Sequence, residues 1–149
     1  MTDLRVINVD LSELRLAFEA ETQDLPWYLD TDTGAVLLAT PEYDPAQHGG
    51  LTLATIEADT QRFLRVPPSN PDQLIADMRE FADESGDAQL KESLELALSA
   101  PRPDKRFKTV LSWLPEQQAQ WSAWRQRRTL ERVTVWLSSN GLVARARVA

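Results

Sequence analysis

The chain has 149 residues, 42% hydrophobic and 26% charged, with a formal net charge of −7 and no cysteine. That length suits one soluble domain able to bury about 70% of the surface its unfolded chain would expose. Without cysteine there are no disulfides, thiolate metal sites or cysteine nucleophiles, a composition that suits a reducing cytosol.

In chain order, "LSELRLAFEA" at 11–20 places Leu11, Leu14 and Phe18 at i, i+3 and i+7, predicting an amphipathic helix with Asp10 as its N-cap. "WYLD" and "AVLLA" flank "TDTG" at 31–34, where Gly34 can take the positive φ of a tight hairpin and the Asp30 carboxylate can accept backbone N–H groups of the turn. "LTLATIE" alternates like a half-buried strand, and "RFLRV" at 62–66 reads as its partner, ended by Pro67 and Pro68. These segments predict a small antiparallel sheet of three or four strands. From residue 71 onward the pattern is helical. Ser69 or Asn70 caps a helix with Pro71 in its first turn and Leu74, Met78, Phe81 and Ala82 on one side, while Asp77, Glu80, Asp83 and Glu84 form its wet face. Gly86 and Asp87 separate it from a stripe of Leu90, Leu94, Ala97 and Leu98; "APRPD" is a linker; Phe107, Val110, Leu111 and Leu114 form the next stripe; and Pro115 restarts the last helix.

In that last helix Ala119, Ala123, Gln126, Leu130, Val133 and Leu137 are spaced four or three apart, which predicts one core face over five turns. At about 100° per residue, Trp121, Trp124, Arg125, Arg128 and Arg132 then fall together on the opposite arc. Trp113 likewise lies off its own helix's apolar stripe, close in angle to Arg106. Such a cluster either packs as a second buried face, with arginines stacked over the rings, or forms an exposed aromatic and basic surface that binds a protein or a single-stranded nucleic acid.

Charge sharpens the question. Residues 1–100 hold 6 Arg/Lys and 20 Asp/Glu, whereas residues 101–149 hold 10 and 3. The basic part can steer an anionic partner or be neutralised by the acidic part within the chain.

Catalytic motifs fail on physical grounds. "DTDTG" at 30–34 looks like the start of a calcium loop, but its Gly comes one position early and Pro41 stands where a bidentate carboxylate is required. The single histidine, His48, sits in a loop, and the five glycines form no phosphate cradle. No metal, cofactor or catalytic set is expected. The acidic amino terminus lacks a basic segment followed by an apolar one, and "AVLLA" is too short to span a bilayer, which predicts a cytoplasmic protein with no membrane partner.

"YLDTDTGAV" at 28–36, "FLRVPP" at 63–68, the Met78 and Phe81 spacing, "KRFKTVL" at 105–111, "WSAWRQRR" at 121–128 and "ERVTVWLSSNGL" at 131–142 resemble, in order and spacing, the bacterial uncharacterised protein family UPF0158. The family usually has a Gly-Lys-Gly-like turn before its Arg-Phe-Lys segment, where this chain has "SAPRPDK". The resemblance implies an α+β fold and brings no established activity.

The expectation is therefore a single α+β domain, acidic over 1–100 and basic over 101–149. A small antiparallel sheet with an amino-terminal helix is followed by an array of four or five helices. The expected role is non-enzymatic: a binding or adaptor module using Trp121, Trp124, Arg125, Arg128 and Arg132, flanked by Arg106, Lys108 and Trp113. Nucleic-acid binding on the same face is the alternative, and an unrecognised hydrolase or transferase is the third reading.

Overall fold

The computed structural model describes residues 4–20 and 26–146. Its elements in chain order are β1 (Arg5–Val9), α1 (Leu11–Glu19), β2 (Trp27–Asp30), β3 (Val36–Leu38), a 3-10 turn (Pro45–His48), α2 (Leu53–Ala58), β4 (Phe63–Arg65), α3 (Pro71–Asp83), α4 (Ala88–Leu98), α5 (Pro103–Ser112), α6 (Pro115–Ser139) and β5 (Leu142–Ala146). The fold is α+β, and contacts divide it into two compact units: residues 1–69 with 129–149, and residues 70–128.

In the first unit β2 pairs antiparallel with β3 on one side and β4 on the other. Asp10 caps α1 as expected, its side chain accepting from the backbone N–H groups of Ser12 and Glu13. Two strands were not foreseen: β1 and β5 pair in parallel, with Arg5 opposite Leu142 and Val9 opposite Ala146. "LTLATIE" is not a strand. Thr52 is extended and its side chain accepts from the Thr55 N–H, so the chain turns into the short helix α2 and buries Ile56 completely. A side-chain cap at Thr52 outweighs a brief alternation of apolar residues. The core of this unit gathers Val9, Leu14, Leu29, Val133 and Leu137, with a second cluster of Leu37, Ile56 and Phe63.

The second unit is helical. Asn70 caps α3, with Pro71 in the first turn, and Asp87 caps α4 through the N–H groups of Gln89 and Leu90. Met78, Leu94, Phe107 and Leu111 are buried at its centre. Asp77, expected on the wet face of α3, is buried and accepts from the Gln73 side-chain amide at 3.1 Å.

The single core face expected for α6 does not exist. Ala119, Ala123 and Gln126 are exposed, while Trp121 and Trp124 are 6% and 7% exposed. The physical reason is that α6 serves two cores, each with its own buried positions. Trp121 and Trp124 belong to the helical unit, and Thr129, Val133 and Leu137 to the other. Indole rings bury far more apolar surface than alanine methyls, so they take the core positions. The units also mix the two charge classes. Residues 70–128 hold ten acidic and nine basic side chains, a balance of −1, although the sequence changes sign near residue 100.

Candidate functional site

The "WSAWRQRR" segment is an internal clasp. Trp121 and Trp124 stack at 5.6 Å with 20° between their planes, and Phe81 meets them edge-on at 5.4 and 6.1 Å. Phe107 packs against Trp121 at 5.0 Å. The Trp124 indole N–H donates to Glu84 Oε2 at 2.8 Å. Arg128 lies over the Trp124 ring at 4.9 Å and pairs with Glu80. The acidic side of α3 thus receives the polar edge of α6, which is why aromatic and basic residues coincide here. Arg125 and Arg132 are half-buried and engage neighbouring groups.

Of the remaining expected residues, α5 keeps two on an open face. Trp113, at the end of α5, is 81% exposed, the most exposed large hydrophobic side chain among the described residues. Arg106, Thr109 and Trp113 follow i, i+3 and i+7 and so run along one side of this helix, with Arg102 the residue before its first turn. Lys108 is exposed but lies about 140° round the helix from Trp113, so it does not join them.

Beside that line, α4 and α5 enclose an open groove of about 670 Å³. Leu96, Ala97 and Ala100 form one wall and Val110 and Thr109 the other, with Arg102, Lys105 and Arg106 at one end. Leu96 is 67% exposed. Neither Leu96 nor the arginine and lysine in the linker and first turn of α5 stood out in the sequence, because exposure of one leucine on an amphipathic helix leaves no periodic signal. Arg102 has φ 57°, the only positive φ outside glycine among the described residues. That conformation costs about 1–2 kcal/mol in an L residue, and Arg102 is one of the residues that line the groove. The lining offers cations, hydroxyls and aliphatic carbon, with no carboxylate or imidazole among the residues that form it. That lining contains no acid–base pair for proton transfer.

A family model described as "Uncharacterised protein family (UPF0158)" matches residues 5–148. The chain belongs to this family. It is similar to UPF0158 protein PA5073 of Pseudomonas aeruginosa, 29% identical over 144 residues that cover 97% of this chain and 90% of that protein. No solved structure gave a significant match.

The segment that carries the UPF0158 resemblance at 28–36 folds as β2, a tight turn and the start of β3. Asp30 is buried there. Its carboxylate accepts from the Asp32 N–H at 2.9 Å and from Arg62 Nε and Nη2, both at 3.0 Å. Burial works against its ionisation, but the Arg62 hydrogen bonds, the Asp32 N–H, the Thr33 hydroxyl and the Arg62 charge together hold its pKa below the ordinary value. Gly34 donates its N–H to the Asp30 carbonyl at 2.7 Å with φ 78°. A hollow of about 590 Å³ next to this turn includes His48, which stacks on Tyr43 at 4.8 Å, and Gln47. The Asp30 carboxylate in its wall is already occupied by the chain's own donors, a structural arrangement. Among the described residues no three His, Asp or Glu side chains converge as a metal site, and no helix is long and apolar enough to cross a membrane.

Proposed function

We propose that this UPF0158 protein is a non-enzymatic binding module whose contact surface is the α4–α5 groove with Trp113 beside it, rather than the tryptophans of α6. One observation carries the reading: a tryptophan 81% exposed shares one side of α5 with Arg106, and Arg106 lines an apolar groove that also holds Arg102 and exposed Leu96. Tryptophan and arginine are the residues that anchor protein interfaces, and exposed apolar grooves with a polar rim are where partners dock. A protein partner fits better than nucleic acid. Three clustered cations neutralise about three phosphates at most, and the chain's net charge of −7 opposes a polyanion. The absence of cysteine supports a cytoplasmic setting.

The test is a photo-crosslinking amino acid at position 113, expressed in cells. A discrete adduct is expected, and it should disappear when Arg102, Lys105 and Arg106 are all changed to Glu. An adduct pattern indifferent to those three changes, in a variant with native circular dichroism, would overturn the reading.

A further inference from the structure

We infer that the groove takes an acidic amphipathic α-helix of a partner protein, a conclusion that rests on the binding-surface reading above. The walls of the groove are themselves helices, and the interior backbone groups of α4 and α5 are already hydrogen-bonded within each helix. An extended peptide laid between them would find no strand edge to pair with, and its own N–H and C=O groups would face aliphatic carbon. A helix arrives with its backbone already satisfied. The dimensions agree: the lining runs from Ser93 to the end of α4 and from Lys105 to Val110 on α5, six residues of each helix or about 9 Å of wall at 1.5 Å per residue. That accommodates side chains at i and i+3 or i+4 of a ligand helix, two turns in contact with the groove.

The lining then sets the ligand's chemistry. Ala97 and Ala100 are small enough to admit a large side chain, which Leu96 and Val110 would flank. The cations gather at the Arg102 end, and the side chains of Arg102 and Lys105 make no hydrogen bond or ion pair among the described residues. The Arg106 Nε donates to the Pro101 carbonyl at 3.2 Å, which holds that guanidinium beside them. Charge complementarity therefore asks for carboxylates at one end of the ligand helix and a large apolar residue at the other, against Trp113. The apolar contacts supply affinity, and the charges supply register and orientation.

The probe is a random 16-residue phage-displayed peptide library selected on the full-length protein, with counter-selection on the Arg102→Glu, Lys105→Glu, Arg106→Glu variant. Enriched peptides are expected to carry Asp or Glu at one end and Leu, Ile, Phe or Trp at helical spacing. Synthesised, they should gain helical circular dichroism on binding, shift the emission of Trp113, and bind the charge-reversed protein at least tenfold more weakly. Enriched peptides that are neutral or basic, or that stay non-helical when bound, overturn the inference; if their binding still requires Trp113, the binding-surface reading survives. Binding of a 16-nucleotide oligo-dT in place of peptides, lost on charge reversal, likewise sinks the inference alone. If no peptide or oligonucleotide prefers the wild-type protein over the variant, both fail.

Discussion

The indole N–H of Trp124 reaches Glu84, 40 positions earlier in the chain, at 2.8 Å, and the Arg128 guanidinium covers the same ring while pairing with Glu80. Two residues of one helix thereby fix α6 against α3 by both apolar and polar contact. Phe81 of α3 is the ring common to this aromatic cluster, with edge-on contacts to Phe107, Trp121 and Trp124 at 6.3, 5.4 and 6.1 Å. Phe81→Ala should therefore destabilise the protein by about 3–5 kcal/mol, the usual range for a buried aromatic. Trp124→Phe keeps most of the apolar contact and loses only the hydrogen bond to an exposed carboxylate, so about 1–2 kcal/mol is expected. Urea unfolding followed by circular dichroism measures both. A larger effect for Trp124→Phe than for Phe81→Ala would contradict this account of the core.

Gly34 and Gly141 both have positive φ, at 78° and 73°, but their surroundings differ. A Cβ on Gly34 would sit 1.5 Å from the Asn8 carbonyl oxygen, whereas one on Gly141 meets nothing within 4 Å. Gly141→Ala should cost only the left-handed backbone penalty, about 1–2 kcal/mol. Gly34→Ala adds a clash between backbones that no side-chain rotation relieves, and it should leave little folded protein at 37 °C, since whole domains are stable by only about 5–15 kcal/mol. Thermal unfolding of the pair decides it: equal midpoints would show that the β2–β3 turn can move away from β1.

Asp30 predicts an acid-side signature. Its folded pKa is held below the ordinary 3.8 because the Arg62 and backbone hydrogen bonds overcome the cost of burial. A carboxyl of that kind contributes stability that is complete above its unfolded pKa and is lost as pH falls through its folded one. The wild-type protein should thus lose stability below about pH 4, and Asp30→Asn should flatten that loss. At neutral pH the substitution should cost about 1–2 kcal/mol, discounted from the usual cost of breaking a buried pair because Arg62 is 35% exposed and also reaches Asp32 at 3.2 Å. Urea midpoints at pH 3 and pH 7 for both proteins test it. An identical slope with pH in the variant would assign the acid sensitivity to other carboxyls.

What could be read from the chain was what local physics controls. The caps at Asp10 and Asn70, the break at Gly86 and Asp87, the prolines opening α3 and α6 and the apolar stripes of α3, α4 and α5 each lie within one or two turns of their cause. β1 and β5 were missed because their pairing joins Arg5 to Leu142, a non-local contact for which "RVINV" carries no marker. The faces of α6 were misassigned because a regular run of Ala119, Ala123, Leu130, Val133 and Leu137 looks like one seam, whereas its two halves enter different cores. The aromatic and basic signature of α6 was real, but sequence spacing alone could not tell that Glu80 and Glu84, in and at the end of α3, receive it. Trp113 and Arg106 were visible; the groove beside them, made of Leu96 and two alanines, was not.

The proposed surface also predicts a separation of folding from binding. Trp113 is 81% exposed, so Trp113→Ala should change stability by less than about 0.5 kcal/mol. Arg102→Glu, Lys105→Glu and Arg106→Glu place acidic side chains at the start of α5, where the helix dipole favours negative charge by about 0.3–1 kcal/mol each at low salt. The triple variant should therefore unfold at the same urea concentration as wild type or slightly higher, even as it loses its partner. Acrylamide quenching gives a parallel check on the unmodified fold. Trp113 should supply most of the easily quenched emission, because Trp121 and Trp124 are sealed in the core and Trp27 and Trp136 are half-buried, and Trp113→Phe should lower the quenching slope. If that substitution leaves the slope unchanged, or if charge reversal unfolds the protein, these side chains are part of its packing and the groove is not a free surface.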